Sequence, residues 1–342
     1  MSRDSMPTLG KSRSSALGRN LIVLALLALA AGGVVWWRKS ARKPAPPPPA
    51  TAVAPSASKP AAPPAPPPRP PKSDDVLKRA GFRRVHAVIN GPLETAIVQQ
   101  VGRELGQPLT QVVVRTLVWW VDVPAGLRKG DVLDVLLDDK EGDPVVEAIR
   151  FQSEKNAQTY RVYRYQAHGA PFARYLQADG QELEQRLKDG PIDDYEQITS
   201  LLRDGRGHKG VDFKTPVGTP VKAPFDGELS RKNWKVGMNG NSIELKESGG
   251  HHRTALFLHL SEIAPESKIG ASISRGQVIG SSGNTGHSFA PHLHYQLESS
   301  DGTVLDPFAV HETSRRALPA AEKSAFDAAV HKLDALLDLP TE

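Results

Sequence analysis

The chain has 342 residues, which is enough for one or two folded domains once any non-globular segments are set aside. Its formal net charge of +5 is a mild basic excess that suits an anionic partner such as a membrane surface or a cell-wall polymer. No basic stripe is interleaved with aromatic residues, so nucleic acid is not an expected partner. The sequence has no cysteine, which excludes disulfides, thiolate zinc sites and cysteine nucleophiles together.

The N-terminal region predicts a membrane anchor followed by a spacer. Residues 1–20 are polar and basic, and residues 21–37 form an uninterrupted apolar run that ends in two tryptophans, as at a membrane interface. A cleaved signal peptide is the alternative, because residues 28–30 have a small-x-small pattern, although the apolar run continues past them. Residues 38–73 are rich in proline and alanine, and we expect an extended linker there because proline lacks a backbone N–H.

The pattern of residues 74–192 predicts a small α+β domain. Apolar spacing favours a helix over residues 92–105, closed by Gly106, and a second helix from about residue 109 to 121. Predicted strands cover residues 85–89, 132–137, 145–152 and 159–165. Glu182 and Glu184 are interpreted as part of a solvated acidic cluster.

Residues 193–312 contain short β-rich segments separated by glycines and prolines, which indicates an antiparallel sheet or sandwich with tight turns. Asp301-Gly302 predicts a hairpin within it. The C-terminal residues 313–342 carry an amphipathic helix, expected to dock on a domain, with partner binding as the alternative. The predicted fold class is therefore a mainly β domain preceded by a small α+β domain, with an N-terminal transmembrane helix and a C-terminal amphipathic helix.

Two short motifs in the β-rich region carry candidate metal ligands. His292 and His294 would point to one face of a strand, which suits two ligands, or one ligand and a neighbouring acid/base group. His208 and Asp212 would lie about 13 Å apart on a straight strand, so they can share an ion only if the chain bends, as Gly210 permits. His259 lies in an apolar segment and, taken alone, is interpreted as a satisfied core histidine.

These motifs resemble those of the LytM/lysostaphin-type zinc metallopeptidases, which cut peptidoglycan. The family pattern has H-x-x-x-D, then H-L at the end of a strand, then H-x-H after a turn rich in small residues. Here these are His208 to Asp212, His259-Leu260, and His292 to His294, and the resemblance covers about residues 195–310.

The resemblance implies that His208, Asp212 and His294 hold one Zn²⁺, and that His292 and His259 flank the attacking water and the reacting carbonyl. It implies a zinc endopeptidase that hydrolyses cross-links or stems of peptidoglycan. A non-catalytic regulator that activates another cell-wall hydrolase is the alternative.

Residues 93–165 are similar to the domain that precedes the peptidase in membrane-anchored murein DD-endopeptidases of Gram-negative bacteria. That similarity implies a single-pass inner-membrane protein with its catalytic domain in the periplasm, and leaves room for regulatory protein partners. The chain departs from the family pattern in a shortened segment before Gly205 and in Phe257, where many relatives have tyrosine.

Overall fold

The computed structural model describes residues 72–341, except residues 124, 139, 141–142 and 203–206. The predicted basic segment, the anchor at 21–37 and almost all of the linker lie outside the described residues. Among the helices that the structure does describe, none is both long and apolar enough to cross a membrane. Residues Pro67–Glu342 group into one unit, so the predicted boundary between residues 192 and 193 stays a prediction.

The first part of the described chain is a five-stranded antiparallel sheet with helices packed on it. Its elements are α1 (Ser73–Arg79), β1 (Phe82–Val88), α2 (Leu93–Leu117), β2 (Val132–Asp138), β3 (Val146–Ser153), β4 (Gln158–Tyr165) and β5 (Arg174–Leu176), followed by the short β6 (Arg186–Leu187). The strands pair in sequence order from β1 to β5. The four predicted strands are therefore confirmed to within a few residues.

The helical segment α2 departs from helical geometry at Gly102, whose φ of 79° separates two helices. The sequence placed that break at Gly106, which instead lies buried inside the second helix. A Cβ on Gly106 would lie 2.8 Å from Cγ2 of Val98, so this glycine permits close packing between the two helical turns.

The second part is mainly β. Its elements are β7 (Gln197–Ser200), β8 (Val211–Lys214), β9 (Pro220–Lys222), β10 (Gly227–Lys232), α3 (Val236–Asn239), β11 (Asn241–Glu247), β12 (Thr254–Leu260), β13 (Glu262–Ile263), β14 (Ser272–Ile273), β15 (Val278–Ser281), β16 (His292–Glu298), β17 (Val304–Leu305), α4 (Pro307–Val310), β18 (Thr313–Ser314), a 3-10 turn (Ala320–Glu322) and α5 (Lys323–Leu337). The large sheet has the order β14-β10-β11-β12-β16-β8-β7, with β17 on β16, and β13-β15-β9 form a smaller sheet. The hairpin predicted at Asp301-Gly302 is confirmed by the pairing of Glu298 with Val304.

One face of the large sheet packs on the core, and the other carries the site. Val211 and Phe213 on β8, and Leu293 and Tyr295 on β16, are buried in one apolar cluster. Side chains alternate between the faces of a strand, so Asp212 and the two histidines of β16 point the opposite way.

The C-terminal helix α5 docks on the first sheet, as predicted. Its apolar stripe of Phe326, Val330, Leu333 and Leu337 is buried in a cluster with residues of β2, β3 and β4. Arg161 on β4 pairs with Asp334 on the helix at 2.6 Å. Because each buried apolar side chain contributes roughly 1.5–3 kcal/mol, burial of the stripe is the main attachment of the helix.

The interpretation of Glu182 and Glu184 as solvated is wrong, because they are only 2% and 5% exposed. Arg186 forks onto both oxygens of Glu182 at 2.6 and 2.7 Å. Glu184 accepts the N–H of Ile198, and burial raises the pKa of this carboxyl to about 8. Arg186 offsets the cost of burying the charged carboxylate of Glu182. The polarity of the local sequence could not reveal that pairing.

Candidate metal centre

Two neighbouring strands, β8 and β16, bring the metal-ligating side chains together. Asp212 pairs directly with His294 across the antiparallel ladder. Opposite residues in such a ladder have their Cβ atoms about 5 Å apart on the same face, which places the carboxylate beside the imidazole. His208 precedes β8 and reaches the same point through a bend at Gly210, as the sequence required.

The three ligand atoms form a small triangle. Nε2 of His208 is 3.1 Å from Oδ1 of Asp212 and 3.0 Å from Nδ1 of His294, and that Nδ1 is 2.8 Å from the same Oδ1. Ligands at 2.0–2.1 Å from a tetrahedral zinc lie about 3.3 Å apart, so the observed spacing fits one ion with little adjustment. Among the residues that the structure describes, His208, Asp212 and His294 form a group that could bind a metal ion.

The surroundings of His208 prepare its Nε2 for a metal. Its Nδ1 lies 3.1 Å from the carbonyl oxygen of Leu201 and 3.0 Å from Oγ of Ser200. A carbonyl only accepts, so Nδ1 carries the proton and the lone pair of Nε2 points into the triangle.

Gly210 allows the bend to approach β16 closely. A Cβ at this position would contact the carbonyl oxygen of Tyr295 and lie 2.9 Å from Nε2 of His294. Glycine is therefore required at position 210 because a larger residue would not fit there, and not because the backbone is left-handed.

Asp212 is held ionised. Burial opposes its charge, but hydrogen bonds with His208 and His294 outweigh this and lower the pKa of the carboxyl well below its usual range. An ionised carboxylate beside two imidazoles supplies one negative charge for a divalent cation.

His259 lies at the end of β12 and its ring centre is 4.8 Å from that of His292. Its φ of 63° is in the left-handed region, beside a register shift in the β11–β12 ladder. Its Nδ1 donates to the carbonyl of Thr285 at 2.8 Å, and burial lowers the pKa of the imidazole to about 4. The ring is therefore neutral near pH 7, with the lone pair on Nε2.

His292 is oriented in the same way. Its Nδ1 lies 2.8 Å from the carbonyl oxygen of Ala290 and 3.2 Å from Oγ of Ser288. Its Nε2 lies 3.9 Å from Oδ1 of Asp212. The structure therefore places His259 and His292 beside the triangle formed by the other three predicted site residues.

Sequence reasoning missed the groups that orient these rings. Thr285 is one, and the Gly-Asn-Thr-Gly turn that contains it was the available signal. His311 also has a context that the sequence did not reveal, because its Nε2 lies 2.9 Å from the Tyr295 hydroxyl and burial lowers the pKa of its ring to about 4. His251 and His252 are exposed between β11 and β12.

The arrangement could serve as a single-metal hydrolytic centre: two imidazoles and one carboxylate are suited to one ion, and two further imidazoles lie beside them. Comparison with known proteins agrees with that class. Residues 206–307 match the model of Peptidase family M23. Residues 206–307 are therefore similar to the domain of peptidase family M23, the LytM-type metallopeptidases, and zinc is the metal of that family.

Named relatives show the same likeness. Over 106 residues, or 30% of this chain and 28% of its own length, glycyl-glycine endopeptidase ALE-1 of Staphylococcus capitis is 44% identical. Peptidoglycan DD-endopeptidase ShyA of Vibrio cholerae is 31% identical over 228 residues, or 62% of this chain and 50% of its own. The solved catalytic domain of lysostaphin from Staphylococcus simulans is 35% identical, with a TM-score of 0.28, over 37% of this chain and 90% of that one.

The chain spans between 21% and 54% of the length of the curated relatives it matches.

Proposed function

We propose that the chain is a zinc-dependent endopeptidase that hydrolyses peptide cross-links or stems of peptidoglycan. The observation that carries the proposal is the triangle of His208, Asp212 and His294 with two oriented imidazoles, those of His259 and His292, beside it. The match of residues 206–307 to the family M23 model supports a peptidase, and the name of the Vibrio relative supports this substrate.

A zinc ion held by the three ligands would act as a Lewis acid that acidifies water and polarises the amide carbonyl. The chain's own residues supply the rest. Asp212 provides the negative charge, and the carbonyl of Leu201 keeps Nε2 of His208 free of a proton. No serine or cysteine nucleophile is needed in this scheme.

His259 and His292 manage protons in the proposed reaction. Each donates Nδ1–H to a main-chain carbonyl, so each presents an Nε2 lone pair that can take a proton from water. The same nitrogen, once protonated, can stabilise the developing oxyanion or deliver the proton to the leaving amine. The tilted packing of the two rings at 4.8 Å lets both reach one reacting carbonyl.

We further propose that the enzyme is anchored in the bacterial inner membrane with its catalytic domain in the periplasm. The apolar run at residues 21–37 and the Pro/Ala-rich linker after it support this location. Fusion of a reporter active only in the periplasm after residue 73 tests it, and a cytoplasmic signal contradicts it.

The enzyme is tested with purified muropeptides and a metal analysis of the wild type and His292→Ala. We expect one zinc per chain in both proteins and hydrolysis by the wild type only. If neither protein cleaves any muropeptide, while the wild type increases cleavage by a second wall hydrolase, the chain is instead a non-catalytic regulator of that hydrolase. His251→Ala, on an exposed loop, is the matched control and should retain activity.

A further inference from the structure

The loop that leads into β16 presents an apolar surface to solvent. Phe289 is 91% exposed, more than any other large apolar side chain among the residues that the structure describes. Met238 and Val236, on the short helix α3, are 59% and 52% exposed. Exposed apolar side chains that cluster in this way mark a binding surface more often than isolated ones do.

Phe289 is directly beside the proposed reaction centre. Its two chain neighbours both contact the ring of His292, Ser288 through Oγ at 3.2 Å and Ala290 through its carbonyl at 2.8 Å. Consecutive Cα atoms are 3.8 Å apart, so Phe289 lies within one residue of groups that touch the imidazole. Phe289 therefore lies in the loop that borders the proposed reaction centre.

The two loops that carry these apolar residues are locked together. The N–H of His287 donates to the carbonyl of Met238 at 2.9 Å, and the N–H of Asn241 donates to Oγ1 of Thr285 at 2.9 Å. The ring of His287 lies edge-on to that of Phe289, with centres 5.1 Å apart. These contacts fix the main chain of the two loops before any ligand binds, which reduces the entropy lost on binding.

The loop before α3 is also strained. Asn233 and Lys235 have φ values of 51° and 49°, in the left-handed region that side chains other than glycine rarely adopt. Such strain persists where the surrounding structure enforces it, and it is concentrated at functional sites. The strain therefore agrees with a binding role for this part of the surface.

We propose that Phe289, with Met238 and Val236, forms a glycan-binding rim beside the proposed reaction centre, where the phenyl ring stacks on a sugar ring of the substrate. The inference rests on the proposed function, since it assumes that the substrate is peptidoglycan. Peptide stems offer mainly small or charged residues, whereas a pyranose presents a flat face of C–H groups. An aromatic π face attracts such C–H groups, so the sugar is the part of the polymer that this rim fits.

The test compares two substrates with the full chain: a cross-linked muropeptide dimer that carries its disaccharides, and the same dimer after enzymatic removal of the sugars. We expect Phe289→Ala to raise KM about tenfold for the sugar-bearing dimer with kcat unchanged, and to leave cleavage of the peptide dimer unaltered. Phe289→Trp should retain the wild-type KM. Ile269→Ala removes an exposed apolar side chain just before the edge strand β14, and should change the cleavage of neither substrate.

An equal loss on both substrates would assign the rim to the peptide and overturn the proposal, as would no loss on the sugar-bearing dimer. A dimer of the protein that Phe289→Ala dissociates would assign the rim to a second copy of the chain. Peptide-free glycan strands separate this inference from the proposed function, because they contain no cleavable peptide bond. Binding of these strands by the wild type but not by Phe289→Ala supports the rim even if no muropeptide is hydrolysed, and no binding by the wild type overturns it.

Discussion

Gly210 offers a sharp test of how the metal ligands are held. Gly210→Ala introduces one methyl group that would contact the carbonyl oxygen of Tyr295 and lie 2.9 Å from Cε1 and Nε2 of His294. Real Cβ atoms essentially never approach other heavy atoms within 3.0 Å, so β8 and β16 must move apart. The two strands pair at this point, where Val211 lies opposite Tyr295, and the movement therefore strains the ladder that sets the spacing of Asp212 and His294.

Overpacking of this kind costs about 1–3 kcal/mol of unfolding free energy. Displacing a ligand by a few tenths of an ångström, where the ligand atoms are now 2.8–3.1 Å apart, should weaken zinc binding about 10- to 100-fold. Urea unfolding and zinc competition with a fluorescent chelator measure the two effects. Gly250→Ala is the matched control, because its methyl group meets nothing within 4 Å. Wild-type zinc affinity in Gly210→Ala would refute the close-approach argument.

Three further substitutions test other parts of the fold by urea unfolding. Thr285→Val removes the hydroxyl that accepts the N–H of Asn241 and should lower the free energy of unfolding by about 1–3 kcal/mol, whereas Thr285→Ser should preserve it. Glu184, whose pKa is raised to about 8, contributes stability that is complete below about pH 4.5 and is lost as pH rises through 8. Glu184→Gln should therefore lose less unfolding free energy than the wild type between pH 5 and 9. Parallel plots of unfolding free energy against pH for the two proteins would contradict this expectation. Leu333→Ala should cost about 2–5 kcal/mol through the cavity it leaves, while His331→Ala, exposed on the same helix, should be near neutral.

The sequence predicts strands and site residues well where a short pattern determines them. Alternation along β16 places His292 and His294 on one face, and Gly210 provides the bend that joins His208 to Asp212. The register that sets Asp212 opposite His294 joins segments about eighty residues apart, and no local pattern encodes it. The burial of Glu182 and Glu184 was missed for a related reason, because the charges and backbone groups that satisfy them are recognised only in the folded chain.

The orientation of His259 is the feature furthest from sequence reasoning. An apolar strand pattern places its side chain by alternation, but the left-handed φ and the register shift beside it turn the ring toward His292 instead. That backbone is supported from outside the strand, since the turn after β15 supplies the carbonyl of Thr285. The interpretation of His259 as a core histidine was therefore right that the side chain is buried, but it did not predict that the ring faces His292.

Three of the four site imidazoles share one device. His208, His259 and His292 each direct Nδ1 to a main-chain carbonyl, so loop backbone takes part in fixing all three Nε2 lone pairs. A substitution in these loops that leaves the backbone unmoved should therefore spare the chemistry. Phe289 is such a position, because its main chain lies between two residues that orient His292 while its ring projects into solvent. Because the main chain orients the imidazoles and the Phe289 ring does not, Phe289→Ala should change KM without changing kcat. Gly210→Ala moves the main chain instead, so it should impair zinc binding itself.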